Sequence, residues 1–291
     1  MRIKGFLSHT GVGSKVIQLV AISLFLMLFF SLISIWITNG DLTNISSLKL
    51  AQFLQSLGLF VLPPFILAYL WSENPLGYLR LNRNPSVESV ILAIVIMLSA
   101  VPAINLLAEL NHAIPFPESL SWLENQLIDL EKRAEDLTLR MLDVDNLAGL
   151  LVNLGLIAVI PAIGEELFFR GIIQRVLQDK FKAHAAVWIT AIIFSAIHFQ
   201  FFGFIPRMLM GALLGYLFLW TGNIWVPVAA HFVNNAAAVL YYYFKGKGDV
   251  AIDLENIGKS ETYFIGIVSL IVVALLVFYF RKQTRVSLPE D

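Results

Sequence analysis

Eight apolar runs dominate the sequence and limit what the chain can fold into. Most of them reach the roughly 17–25 residues that a helix needs to cross a bilayer. They lie near residues 16–38, 51–71, 87–108, 147–163, 185–202, 205–220, 226–244 and 262–280. The sequence therefore predicts an all-α fold, a polytopic integral membrane helix bundle of about eight transmembrane helices.

Composition supports a membrane protein and excludes several other classes. The chain is 58% hydrophobic and 14% charged, whereas soluble domains have roughly 45–50% apolar and about 25% charged residues. A net charge of -1 offers no excess that would attract nucleic acid, so no nucleic-acid partner is expected. The absence of cysteine excludes disulfides, thiol nucleophiles and zinc–thiolate sites.

The distribution of Lys and Arg predicts an orientation. If the N-terminus is cytoplasmic, the basic residues gather at the cytoplasmic ends of the spans, and most acidic residues fall in the outer connections. These basic residues are Arg2, Lys4, Lys15, Arg80, Arg83, Arg175, Lys180, Lys182, Arg281, Lys282 and Arg285. We expect a multi-pass protein of the plasma membrane, surrounded by lipid, with both termini in the cytoplasm.

The outer connection 109–146 predicts an amphipathic extramembrane helix. Ser121 and Glu124 have the spacing of a capping box. Apolar residues then recur three and four positions apart, at Leu120, Leu123, Leu127, Leu130, Ala134, Leu137 and Met141. This helix either rests on the bundle or the membrane surface, or acts as a lid that gates a substrate.

Two acids and an arginine stand near the end of the fourth apolar run, in the stretch EELFFR. Ionisable groups inside a membrane cost several kcal/mol each and usually face a bundle interior or a wet cavity. Glu166 and Arg170 are four residues apart with the acid first, which favours an ion pair on one helix face. Glu165 points about 100° away from Glu166 and needs a partner from another helix.

Two histidines lie within apolar helices. FSAIH places His198 four residues after Phe194. Glu165 and His198 flank a basic turn near residues 180–184, and counting 1.5 Å per residue from that turn puts them within about one helical turn in height. They could therefore face each other. HFVNN places Asn234 and Asn235 three and four residues after His231, at a similar height.

The order EExxxR, FxxxH and HxxxN resembles the three motifs of the CPBP intramembrane proteases, which include type II CAAX prenyl endopeptidases, Abi proteins and proteins similar to lysostaphin resistance protein A. The resemblance covers about residues 145–245. It implies that Glu165 and His198 activate water and that His231 and Asn235 stabilise the oxyanion. It implies supporting roles for Glu166, Arg170, Phe194 and Asn234.

The favoured function is an intramembrane endopeptidase that cleaves near the cytoplasmic side. Its partner would be a peptide or protein substrate, with lipidated and membrane-inserted substrates both open. Buried acids and histidines also build proton relays, so a proton- or ion-coupled transporter is an alternative. A non-catalytic immunity or scaffold protein is another.

Metal dependence is a separate question. Glu165, His198 and His231 could form a His₂Glu zinc site, but the HExxH spacing is absent. We favour metal-free hydrolysis that requires no cofactor.

One integral domain, 1–291, is the simplest division. It would comprise three N-terminal spans in 1–108, the amphipathic segment 109–146, a catalytic core in 147–245, and the last span with a basic tail in 262–291. GALLG, with Gly211 and Gly215 four residues apart, predicts close helix packing.

Overall fold

The computed structural model describes residues 3–249 and 253–284, and that part of the chain is helical without a strand. The predicted all-α fold is confirmed. The helices are α1 (Val12–Thr38), α2 (Ile45–Trp71), α3 (Val87–Ser99), α4 (Val101–His112), α5 (Ser121–Leu142), α6 (Leu147–Gln178), α7 (Ala183–Ala196), α8 (Phe204–Thr221), α9 (Trp225–Gly246) and α10 (Tyr263–Gln283). A short helix, Pro75–Tyr78, follows α2, and 3₁₀ turns at Glu118–Leu120 and Ser260–Thr262 precede α5 and α10. Arg2 and Arg285 lie outside the described residues, whereas Arg281 and Lys282 lie in the last turn of α10.

In the described ranges, five helices are long and apolar enough to cross a membrane, namely α1, α2, α6, α8 and the last helix together with its leading turn. Helices α3 and α4 make a sixth candidate if they are one span, bent by 44° where Pro102 opens α4. Each of the eight apolar runs contributes to a helix, but the count of eight spans is not confirmed. One reason is that α7 has only 14 residues.

Widened π-helical turns interrupt the two helices that meet at the centre of the bundle. In α2 such a turn covers Leu57–Val61, and in α6 two of them cover Leu154–Val159 and Leu167–Gln174. Prolines follow the π-helical turns at Leu57–Val61 and Leu154–Val159. Because proline has no N–H, it removes a hydrogen bond from the regular helix and favours such a turn. These turns leave backbone carbonyls of α6 accessible to side chains of neighbouring helices.

Helix α6 forms the centre of the fold, since it contacts α2, α7, α8 and α9. Its second half contributes Phe168, Phe169 and Ile172 to the main apolar core, where Phe194 of α7 joins them. At Gly164 the helix approaches α2 so closely that a Cβ would lie 2.9 Å from Val61 Cγ2. Glu166, Arg170 and Gln174 on this part of α6 are therefore buried within the protein.

Helix α5 forms the predicted amphipathic element, and it packs on α2, α6 and α9. Leu123, Leu127 and Ala134 lie on its half-buried face, and Met141 is buried. The rest of the predicted stripe differs, since Leu130 and Leu137 are exposed. The capping box is wrong, because a 3₁₀ turn precedes the helix and Ser121 already lies inside it, without a capping hydrogen bond.

Candidate active site

The predicted pair between Glu166 and Arg170 is confirmed and is fully buried. Arg170 Nη1 donates to Glu166 Oε1 at 2.7 Å, and both side chains have no solvent exposure. Arg170 Nη2 donates to the backbone oxygen of Gly211 in α8 at 2.8 Å. The pair thus fixes α6 against α8, and Gly211 has a polar role beyond the close packing that its spacing predicts.

His231 of α9 links the two acids of α6. Its Nδ1 lies 2.8 Å from Glu166 Oε1, and the ring is almost fully buried. A carboxylate can only accept a hydrogen bond, so Nδ1 carries a proton in this pair. This contact orients the ring, and Nε2 then lies 3.9 Å from Glu165 Oε2.

Glu165 differs from its neighbour in accessibility. Its side chain is 12% exposed, whereas Glu166 is completely covered. Its separation from His231 Nε2 is too long for a direct hydrogen bond, but a water at an apex between the two atoms could contact both. The expectation that Glu165 takes its partner from another helix is therefore met by His231.

His198 lies just beyond the end of α7, in the turn that leads to α8. Its Nδ1 donates to the backbone oxygen of Phe194 at 2.7 Å, which leaves the lone pair on Nε2 for another group. The next residue, Phe199, adopts a left-handed φ of 53° and is 76% exposed. Among the described residues His198 forms no ion pair with Glu165, so the structure brings Glu165 to His231 and not directly to His198.

Phe194 is the contact that joins these groups. Its ring centroid lies 5.1 Å from that of His198 and 6.1 Å from that of His231. The guanidinium carbon of Arg170 lies 5.0 Å from the same ring. Phe194 therefore packs against both imidazoles and against the buried guanidinium of Arg170.

Asn235 and Asn234 stand one helical turn further along α9. Asn235 Nδ2 donates to the backbone oxygen of Ile157 at 3.2 Å, within a π-helical turn of α6. Asn234 Nδ2 donates to Asn235 Oδ1 at 3.1 Å. One N–H of Asn235 is thus used for helix packing and the other is left for a further acceptor.

The arrangement does not fit a zinc site. Across residues 3–249 and 253–284, no three His, Asp or Glu side chains are grouped so that they could hold a metal ion. Glu165 Oε2 and His231 Nε2 lie 3.9 Å apart, but His198 does not complete a group of three metal ligands with them. The chemistry proposed below therefore uses protein groups alone.

Two polar side chains near this site were not predicted from the sequence. Gln174 is buried on α6 and donates to the backbone oxygen of Gly215 at 3.1 Å. Arg207 is half-buried in the first turn of α8 and acts electrostatically on Glu165 and His198. A lone charge in the apolar run 205–220 was the available signal for Arg207.

Comparison with known proteins supports the motif resemblance. Residues 147–237 match the family model described as type II CAAX prenyl endopeptidase Rce1-like. The matched segment runs from the start of α6 into α9 and contains every candidate site residue named above. The resemblance to the CPBP intramembrane proteases is thus confirmed over this segment.

Two curated relatives come from Bacillus subtilis (strain 168). "Uncharacterized protein YpbD" is 34% identical over 84 residues, which is 28% of this chain and 40% of the relative. "Putative membrane peptidase YdiL" is 30% identical over 108 residues, which is 37% of this chain and 43% of the relative. The chain thus matches about two fifths of the length of these relatives. No solved structure matches.

Proposed function

We propose that the chain is an intramembrane endopeptidase, because residues 147–237 match a family of type II CAAX prenyl endopeptidases. The observation that carries the proposal is the cluster of Glu165, Glu166 and His231 at the centre of a helix bundle, with only Glu165 open to solvent. The substrate would be a peptide or protein that enters the membrane, with or without an attached lipid.

In the proposed reaction Glu165 is the general base. Its carboxylate takes a proton from a water held between Glu165, His198 Nε2 and His231, and the oxygen of that water attacks the carbonyl carbon of the peptide bond. The carbonyl electrons move to the oxygen, which becomes an oxyanion. The carbon–nitrogen bond then breaks, and the proton on Glu165 passes to the leaving nitrogen.

Donors for the oxyanion come from α9 in this scheme. In this scheme His231 acts as an imidazolium with a proton on each ring nitrogen, so that Nδ1 donates to Glu166 and Nε2 donates to the oxyanion. Asn235 donates its remaining N–H. Preorganised donors of this kind typically contribute 10²–10³-fold each to the rate. Glu166 and Arg170 serve by fixing His231, with Phe194 and Asn234 supporting the two imidazoles and the amide.

The depth of the site supports cleavage in the cytoplasmic half of the membrane. Along α6, Glu165 stands closer to the end at Gln178 than to the end at Leu147. The Gln178 end leads to Lys180 and Lys182, which the positive-inside rule assigns to the cytoplasm. A substrate would therefore reach Glu165 more readily from that side.

The test is proteolysis by purified protein in lipid vesicles. Wild type and Glu165→Gln would be incubated with a synthetic library of apolar peptides, and products would be read by mass spectrometry. Glu165→Gln should slow cleavage by at least ~100-fold, because loss of a general base typically costs 10²–10⁴-fold. Glu118→Gln, a matched change at an exposed acid before α5, should cleave like wild type. Equal rates for Glu165→Gln and wild type would remove the proposal.

A further inference from the structure

Helices α6, α7 and α8 pack in register, layer by layer. In one layer Gln174 of α6 donates to the backbone oxygen of Gly215 in α8. Four residues back on both helices, Arg170 donates to the backbone oxygen of Gly211. In this second layer α7 contributes Phe194, which would lie 3.0 Å from a Cβ at Gly211. The spacing of four residues repeats on α6 and α8 because these faces run along each other.

The next layer contains the site. One turn further, α6 presents Glu166, α7 leads to His198 and α8 presents Arg207. Helices α7 and α8 run in opposite directions. Four residues after Phe194 is His198 and four residues before Gly211 is Arg207, so these two residues lie at the same level along the helix axes. The register therefore brings Arg207 to the level of His198 and of the two acids.

The guanidinium of Arg207 is held in place by the turn between α7 and α8. Its Nη1 and Nη2 donate to the backbone oxygen and the side-chain oxygen of Gln200. Gly203 makes room for it, since a Cβ there would lie 3.2 Å from Nη2. Two of the five N–H donors of an arginine are used in this way.

The charge of Arg207 is not taken up by a direct ion pair among the described residues. It acts at longer range on Glu131 of α5, on Glu165 and on His198. A half-buried guanidinium with unused donors, within electrostatic range of a solvent-accessible carboxylate, is suited to bind an oxygen that becomes negative between them. Asn235, by contrast, already spends one N–H on Ile157.

We infer that Arg207 is a further catalytic residue, whose guanidinium donates hydrogen bonds to the carbonyl oxygen of the scissile peptide bond as that oxygen becomes an oxyanion. This inference rests on the proposed endopeptidase function. The bonds that form and break are those of the hydrolysis above, and Arg207 keeps its protons throughout. It adds a donor from α8 to those that α9 supplies.

The test uses a peptide that wild type cleaves and compares Arg207→Gln, Arg207→Lys and Arg83→Gln. A donor to the oxyanion acts in the transition state, so Arg207→Gln should lower kcat by roughly 10²–10³-fold and change KM by less than about twofold. Arg207→Lys, which keeps the charge without the planar fork, should lose less. Arg83→Gln, on the connection between α2 and α3, should leave kcat unchanged. A raised KM with normal kcat, or no effect, would overturn the inference.

A binding measurement covers the case in which Arg207→Gln folds poorly or shifts the turn. The probe is the same peptide with a phosphonate in place of the scissile amide, which mimics the negative tetrahedral centre. Wild type should bind the phosphonate at least ~100-fold more tightly than Glu165→Gln protein binds the uncleaved peptide. When Arg207→Lys protein binds the phosphonate instead of wild type, this ratio of affinities should fall by at least tenfold. An unchanged preference in Arg207→Lys would overturn the inference.

The two proposals fail in different ways. If Glu165→Gln cleaves as fast as wild type, the endopeptidase function fails and this inference fails with it. If Glu165→Gln abolishes cleavage while both Arg207 variants keep wild-type kcat, only the role of Arg207 is overturned.

Discussion

Glu165 and Glu166 are adjacent in sequence but occupy different environments. Glu166 is sealed inside the bundle and accepts hydrogen bonds from Arg170 and His231 through one oxygen. Glu165 keeps an exposed edge and makes no direct hydrogen bond to His231. One acid therefore stabilises the structure, and the other is available for chemistry.

Replacement of each acid by its amide should separate these two functions. Glu166→Gln leaves Arg170 as a buried charge without a partner, so the variant should lose about 3–5 kcal/mol of unfolding free energy. Glu165→Gln should lose less than ~1 kcal/mol. Denaturant unfolding of both variants in detergent micelles measures this difference. Equal losses would show that the two carboxylates are not divided in this way.

Sequence spacing was enough for some of these contacts and not for others. Glu166 and Arg170 could be paired from their separation of four residues, because both lie on one helix. The contact of Asn235 with Ile157 could not be predicted, since it depends on a π-helical turn that frees a carbonyl of α6. The link between Glu165 and His231 also depends on how α6 and α9 rotate about their axes.

At the scale of helices, the contact of α7 with α8 sets the position of the site. Gly211 lets the two helices approach, and its carbonyl also accepts from Arg170. The length of the apolar runs predicted these helices, and the glycine spacing predicted close packing of α8 against a neighbour. The hydrogen bonds from Arg170 and Gln174 to backbone carbonyls of α8 were not predicted. Every residue has a backbone carbonyl, so the sequence does not indicate which of them accepts a hydrogen bond.

Gly211→Ala tests this contact. The added Cβ would lie 3.0 Å from Phe194 Cδ1 and 3.3 Å from Ala191 Cα, so α7 must shift. We expect a loss of about 1–3 kcal/mol in unfolding free energy, typical of overpacking. Gly155→Ala on α6 meets no atom within 4 Å and serves as the matched control. The same unfolding assay compares the two, and a neutral Gly211→Ala would contradict the packing described here.

At the scale of the whole molecule, the helical class follows directly from hydropathy, whereas the number of crossings does not. Hydropathy reports apolar length, but α7 is too short and α3 joins α4 at a bend. Orientation rests on the distribution of Lys and Arg and stays a prediction.

The chain has no cysteine, so single cysteines can report orientation without a background. Cells carrying Ser8→Cys or Glu124→Cys would be treated with a maleimide that cannot cross the membrane. Position 124 on α5 should be labelled in intact cells, and position 8 only after the cells are opened, because we expect the N-terminus in the cytoplasm. The reverse pattern would invert the predicted topology.

The short length of α7 also affects how water, a reactant in hydrolysis, reaches the site. Its 14 residues rise only about 21 Å, less than the roughly 30 Å of hydrocarbon in a bilayer. The turn that follows holds His198, and Asn111 and Glu131 satisfy its backbone groups from neighbouring helices. A cavity of about 230 Å³ lies beside this turn, lined in part by His112, Glu131 and Phe202, and it can hold water. Hydrolysis would use the water in this cavity, while the rest of the bilayer stays impermeable to ions.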